Sequence, residues 1–556
     1  MEVPSRILSI DIKDYKAAIE EWTVILERTH SWEMPQRVLL GPPATCPAEI
    51  EHDMIKMGAT RLNTSREYWV RSDLDDQVLI DFLRKLPSLS DLEWRICNQL
   101  MPPLLKFLRE EIPNCNLHLK PFDIDQDEDP SYVQSILSLP SLRTIWFKRN
   151  DFDGCEENIV QPIARAADGN LREVRIFWGF RGASPFPVPP PLMWRQKRVE
   201  PEGQRLGQVE CLQLTGNGIR GTDETDLEMW ARHTDLTHLR TLSLEFRATK
   251  AILETLVNLP LQSLRSLGTK TDWEAMSNDY TATLHAFISN ITALSHLRIK
   301  GALPPRVLEG ILDHLSPTLQ VLYLIPGAPF DSSSIAEVTG RCNHVKELGI
   351  SIRRAWNKPG EDIAVLKAIG RMPCLSDLYL TLDASDFTLE ATETEHAPPD
   401  PSFSDFDLET FDTRTSGYIK LRNGNIRDAL INSAIDADLV KAVFNTIISG
   451  TPDGETSSLR RLSLKAAGGG YWGENTRDSG VQMIVKEIGR GWVVERSDHN
   501  DVLEIRREER REELADDDDE RCDLYDSSAC QSEPIFRKIW PGNGDWWEEW
   551  HAFPLV

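Results

Sequence analysis

Apolar residues recur along the chain in one phrase, Leu-x-x-Leu-x-Leu. Leu319, Leu322 and Leu324 give its clearest copy, and the stretches Leu236 to Leu244 and Leu375 to Leu380 repeat it. With the second Leu as a phase marker, clear copies fall at Leu92, Ile145, Val174, Leu212, Leu242, Leu267, Leu297, Leu322, Leu348, Leu378 and Leu462. Weaker strand-like copies sit at Ile10, Val38, Leu62, Leu117 and Ile419. From Leu242 to Leu378 the steps are 25, 30, 25, 26 and 30 residues.

In a short strand, alternate side chains point to opposite faces. Leu322 and Leu324 therefore point inward, Tyr323 points outward, and Leu319 enters the same core at a bend. One such strand cannot bury its face alone, whereas many stacked in parallel build a continuous core. The segments between phrases carry helical spacing. Pro304 and Pro305 open one helix, with Val307, Leu308, Ile311, Leu312 and Leu315 on one face. Asp73 is placed to cap a second, which carries Val78, Leu79, Phe82, Leu83 and Leu86. A third runs from Ile363 to Ile369. Strand then helix, repeated, predicts a parallel sheet with helices outside it. Strands sit closer together than helices can, so the stack is expected to curve into a horseshoe with its strands on the concave face.

Three segments interrupt the pattern. Ala183 to Pro191 (ASPFPVPPP) cannot be helix and reads as an extended surface loop, in which Pro187 and Pro190 also spell P-x-x-P, a ligand pattern for aromatic grooves. Asp386 to Asp412 holds nine acidic residues and no Lys or Arg, and reads as a flexible acidic loop. Phe403, Phe406, Leu408 and Phe411 lie within it, the composition of a docking segment. Glu504 to Glu520 (EIRREERREELADDDDE) reads as a solvated helix or a linker. Beyond it, Asp545 is placed to cap a short helix with Trp546, Trp550 and Phe553 on one face and Trp547 beside them, expected to fold back over the end of the core. The expected organisation is a repeat array over 1–385, an acidic insertion over 386–415, further repeats over 416–500, a charged linker over 501–533 and a Trp-rich cap over 534–556.

At 556 residues the chain exceeds one ordinary core, which a repeat array does not need to enlarge. The formal net charge of -26 opposes phosphate backbones and anionic lipid, so neither nucleic acid nor a membrane is the expected partner. No apolar run approaches the roughly 18 residues of a membrane span. Nine widely spaced Cys without C-x-x-C predict reduced thiols in an intracellular protein of the cytoplasm or nucleus.

Candidate chemistry is sparse. Gly216, Gly218 and Gly221 spell G-x-G-x-x-G after a strand-like run, but Asn217 and Ile219 between them fit the repeat, so a nucleotide loop is not expected there. Gly468 to Gly470 lack the Lys and Ser/Thr of a phosphate loop. His118, His238, His296 and His344 have no metal-like spacing, and no G-x-S-x-G occurs. No catalytic, cofactor-binding or metal-binding residue is therefore expected, and the chain does not read as an enzyme. What remains is the outward row of the strands. Trp146, Arg175, Gln213, Arg298, Tyr323 and Tyr379 are the candidate contacts for a protein partner, because aromatics and Arg supply most interface energy.

The repeated phrase, extended to an Asn at Ile145-Phe147-Asn150 and Leu212-Leu214-Asn217, resembles the leucine-rich-repeat superfamily, whose period of roughly 20 to 29 residues these steps meet at its long end. The irregular units, together with Asn425 to Ala437 (NIRDALINSAIDA), Gly491 to Arg496 (GWVVER) and the Trp-rich end, are similar to the long, divergent repeat proteins of fungi that often carry an F-box. That resemblance implies an α/β leucine-rich-repeat solenoid acting as the substrate-recognition subunit of an SCF-type ubiquitin ligase. There the F-box docks the cullin–RING adaptor and the repeats hold the target. Pro47 to Ile50 (PAEI) resemble the start of an F-box, but the Leu-rich helices that should follow are missing. An F-box upstream of Met1, or a plain interaction scaffold unrelated to ubiquitination, are the two expectations this leaves.

Overall fold

A computed structural model of the chain describes residues 6–11, 15–41, 76–95, 100–123, 130–149, 160, 163–164, 166, 169–178, 206–214, 224–271, 277–291, 293–301, 303–326, 329–354, 356, 360–385, 400–411, 421–452, 454, 456–469, 479–497, 502–508, 530–544 and 548–555. The chain divides into two compact units, Met1–Glu274 with Ala282–Ala293, and Ala275–Thr281 with Leu294–Val556.

In the first unit the strands β1 (Ile7–Asp11), β2 (Arg37–Gly41), β3 (Asp91–Trp94), β4 (Asn116–Asp123), β5 (Leu142–Arg149), β6 (Glu173–Trp178), β7 (Cys211–Leu214), β8 (Thr241–Ala248) and β9 (Ser266–Thr271) lie side by side in sequence order. Every pairing from β1 to β9 is parallel. The helices α1 (Tyr15–Thr29), α2 (Asp76–Arg84), α3 (Pro102–Glu110), α4 (Pro130–Leu137), α5 (Glu224–His233) and α6 (Lys250–Asn258) alternate with them, and α7 (Asn278–Ser289) falls at the division.

The register follows the leucine phrase. Val38, Leu92 and Leu117 are successive partners, as are Ile145, Val174, Leu212, Leu242 and Leu267. All of them are buried. Two departures occur. Leu8, not Ile10, stands opposite Val38, so the first copy sits two residues earlier than expected; Ile10 also points inward, which made the two indistinguishable by alternation. Irregularities between β4 and β5 set Leu119, rather than Leu117, opposite Ile145.

In the second unit β10 (His296–Gly301), β11 (Val321–Pro326), β12 (Glu347–Arg353), β13 (Asp377–Asp383) and β14 (Arg461–Ala467) continue the same scheme, with Leu297, Leu322, Leu348, Leu378 and Leu462 in register. The helices are α8 (Pro305–Leu315), α9 (Ser332–Arg341), α10 (Glu361–Ile369), α11 (Asp405–Leu408), α12 (Asn423–Ser433), α13 (Ala437–Ile448), α14 (Ser479–Ile488) and α15 (Cys530–Ile539). In α8 the fixed φ of Pro305 suits the first turn, and Val307, Leu308, Ile311, Leu312 and Leu315 are buried as their spacing predicts. Each such side chain contributes roughly 1.5–3 kcal/mol of burial. The architecture is thus α/β and mostly parallel, and neither run of strands closes into a barrel.

The parallel scheme stops at β14, a correction to the expectation of repeats through residue 500. Strands β15 (Trp492–Arg496) and β16 (Leu503–Arg507) are antiparallel. The cause is where α14 delivers the chain: Gly489 O accepts a hydrogen bond from Ala466 N at the far end of β14, so the next strand has to run back along it. Strand β16 also replaces the expected solvated helix or linker at residues 504–507. Leu503 and Ile505 alternate with charged neighbours, and Arg506 and Arg507 pair with Glu495 and Glu487. The acidic stretch needs a second correction. Its residues 386–399 lie outside the described residues; in 400–411 most side chains are exposed, but Asp407 and Phe411 are buried and Phe403 and Phe406 half-buried. Ser404 and Asp407 form a reciprocal cap on α11, and Phe411 is buried beside Leu421 and Ile426. Third, the helix near the C-terminus is α15, not one opening at Asp545. Asp545, Trp546 and Trp547 lie outside the described residues, and 548–555 are not helical. Phe553 O instead accepts from Arg354 and Ala552 N donates to Asp436, which uses their backbone groups on other elements.

Candidate interaction surface on the outward sheet face

Residues between the marker positions of each strand point away from the leucine core. In the first unit this outward row places Trp146 opposite Arg175, Arg175 opposite Gln213, Gln213 opposite Ser243 and Ser243 opposite Gly268. Three of the six candidate contacts, Trp146, Arg175 and Gln213, are therefore consecutive neighbours. They are less exposed than an outward row suggests, at 5%, 8% and 5%. Parallel strands stand about 4.8 Å apart, so long side chains in register cover one another.

Ionic contacts join this row. Glu93 is wholly buried, yet it accepts from Arg95 Nε at 2.6 Å and from Arg37 Nη2, with Lys120 Nζ at 3.7 Å. Burial raises the Glu93 carboxyl, but Lys120, Arg95 and Arg37 outweigh it and hold it below the usual carboxylate range. Lys120 Nζ lies 4.8 Å and the Arg175 guanidinium 4.6 Å from the Trp146 ring centre, cation–π contacts from both neighbouring strands. Glu173 accepts from Arg175 Nε at 2.6 Å and from Trp146 Nε1 at 3.2 Å. Burial raises its carboxyl too, and Arg175 and Lys120 bring it below the ordinary range. Asp91 takes Asn116 Nδ2 and His118 Nε2, each at 3.1 Å, and Thr144 Oγ1 lies 2.9 Å from His118 Nδ1.

In the second unit the row runs Arg298, Tyr323, Gly349, Tyr379, Ser463. Gly349 makes room for the tyrosines: a Cβ there would fall 2.1 Å from the Tyr323 ring. The Tyr323 and Tyr379 rings meet across the glycine, 5.6 Å apart and tilted by 34°. Tyr323 Oη donates to Glu347. Burial, reinforced by the Glu347 carboxylate, raises both phenols, that of Tyr379 to about 12. Tyr323 is nearly buried and Tyr379 half-buried.

Alternation located the outward row but not the groups that fix it. Lys120, Glu173, Glu347 and Gly349 are also outward residues, and one signal pointed to the acids. An Asp or Glu directly precedes the marker at Asp91, Glu173, Glu347 and Asp377, which gives four strands an acidic first residue.

Among the described residues no group of three or more His, Cys, Asp or Glu is arranged to hold a metal ion, and no helix is long and apolar enough to cross a membrane. Cys115, Cys211, Cys342 and Cys374 are unbridged. Burial lifts the Cys115 thiol to about 12 and Cys342 to about 11, which makes both poor nucleophiles. The P-x-x-P prolines, Pro187 and Pro190, and the glycines Gly216, Gly218 and Gly221 lie outside the described residues. No family model matches the chain, and no curated protein matches it.

Proposed function

We propose that the chain is a protein-interaction scaffold of the leucine-rich-repeat type, which holds a protein partner against the outward face of its sheet. The observation that carries this reading is the mutual fixing of the outward row. Trp146 lies between Lys120 and Arg175, and Tyr323 is tied to Glu347 and packed on Tyr379. Side chains fixed in this way have little rotamer freedom left to lose on binding, so contacts to them keep more of their energy. The repeat reading draws support from marker leucines in register through successive parallel strands. A curved solenoid with this face concave follows from strands spaced more closely than helices.

A catalytic role has less support. In the outward row of the first unit, Glu93 and Glu173 are held ionised by cations, the opposite of what a general acid requires. Unbridged thiols support a site of action in the cytoplasm or nucleus. The narrower role, substrate recognition in an SCF-type ubiquitin ligase, rests on the family resemblance. Co-purification tests it: retention of the cullin–RING adaptor at micromolar concentration supports that role, and a full-length chain that leaves the adaptor behind sinks it.

The scaffold reading is tested by comparing two variants for binding to a partner captured on the full chain. A sheet-face variant, Arg95→Ala with Tyr379→Ala, should weaken binding by tenfold or more, since interface Arg and Tyr are frequent hot spots. A helix-face variant, Glu254→Ala with Glu309→Ala at exposed positions, should leave it unchanged. The reverse pattern, or equal retention by both, contradicts the reading.

A further inference from the structure

Arg37 and Arg95 bracket the buried Glu93, one guanidinium on each carboxylate oxygen. Lys120 adds a third cation to the same acid. Lys120 also acts on Glu173, so the excess of positive charge at Glu93 comes from the two guanidinium groups, in a chain whose formal net charge is -26. The acid lies at the floor and the cations at the rim: the Glu93 side chain is 0% exposed, against 39% for Arg37 and 16% for Arg95. A guanidinium carries five N–H donors in a planar fork. Among the described residues, Arg37 bonds Glu93 through Nη2 alone and Arg95 through Nε alone, so donors remain on both forks. Asp91, on the same strand, is engaged by Ser90, Asn116 and His118.

We infer that the Arg37–Arg95 pair is a receptor for a carboxylate side chain, and that the partner presents an acidic, Asp/Glu-rich segment to this end of the outward face. The inference rests on the scaffold reading and adds the chemistry of the partner. A carboxylate matches the fork geometry of arginine and takes two parallel N–H bonds from one guanidinium. Glu93 has two effects. It holds both guanidinium groups in place, which lowers the ordering cost of binding, and it cancels one of their two positive charges. The pair therefore attracts an acid without leaving two uncompensated guanidinium groups in the free protein.

The test measures binding of a short synthetic peptide of alternating Asp and Glu to the full chain, beside the same peptide made of Asn and Gln. The acidic peptide should bind, the amide peptide should not, and added salt should weaken the complex. Arg37→Gln and Arg95→Gln should each weaken binding roughly tenfold, the worth of one hydrogen bond to a charged group. Arg37→Lys, which keeps the charge but not the fork, should weaken it less than Arg37→Gln, a graded response that a folding defect does not imitate. Equal binding of the two peptides, or acidic-peptide affinity unchanged in Arg37→Gln and Arg95→Gln, overturns the inference. A captured partner that responds to Tyr379→Ala but not to Arg95→Gln leaves the scaffold reading standing and removes only the acidic receptor.

Discussion

Glu93 has no solvent contact, yet three cations keep it ionised. Its folded pKa lies below the unfolded value of about 4.3. Its contribution to stability is therefore present above that unfolded value and is lost as pH falls through the depressed folded one. Thermal unfolding of Glu93→Gln beside the natural chain checks this: the deficit of the variant should be largest near neutral pH and shrink as pH drops below about 4. A deficit that does not change with pH would show that the carboxylate is not what matters. At Gly349 the sign is steric. An added methyl would lie within 2.1 Å of the Tyr323 ring, so Gly349→Ala should cost about 1–3 kcal/mol in urea unfolding, as overpacking does. Tyr323→Ala in the same background should recover part of that loss. The outward position of these residues was legible in the sequence, because alternation in a strand decides it. Their low exposure was not, because it depends on which strand lies alongside: Trp146 is covered by Lys120 and Arg175, 26 and 29 residues away.

Helices α10 and α13 approach through two glycines. A Cβ on Gly370 would stand 1.9 Å from Ile447 O, and one on Gly450 would stand 2.1 Å from Lys367 O. Backbone carbonyls cannot swing aside, so Gly370→Ala or Gly450→Ala should force the helices apart, and each should lower the unfolding free energy by about 1–3 kcal/mol. The segment at 400–411 shows where composition misleads. Its acidic character argues for solvation, but Phe411 is seated in a core with Leu421, Ile426 and Trp540, and Phe411 N donates to Leu421 O. Phe411→Ala should cost about 3–5 kcal/mol, against well under half of that for the more exposed Phe403→Ala, in denaturant titrations. The apolar residues of the stretch held the right information, and the charge count obscured it. The antiparallel turn into β15 was illegible for a different reason: it depends on where α14 ends, which the repeat pattern does not encode.

Across the chain, the repeated leucine phrase was enough to predict parallel strands alternating with helices, since each marker needs a neighbour in register to be buried. It did not reveal the ties at the C-terminal end of the second unit. There Arg354 is buried and donates to Ala434 O at 2.6 Å, Asn432 O at 3.3 Å and Phe553 O at 2.9 Å, while Asp436 accepts from Ala552 N at 2.7 Å. Burial pushes the Arg354 guanidinium down to about 10. Arg354→Met should leave three carbonyls short of a donor and speed hydrogen exchange across 548–555 before the β10–β14 strands respond.

The central claim is that a protein partner lies on the outward sheet face, and site-directed photocrosslinking tests it most directly. A photoreactive side chain is placed in turn at His118 and Tyr379 on the sheet, and at Glu254 and Glu309 on the exposed sides of α6 and α8. The account predicts that a partner is crosslinked from His118 or from Tyr379 and not from Glu254 or Glu309. Crosslinks to that partner from the helix positions alone would contradict it.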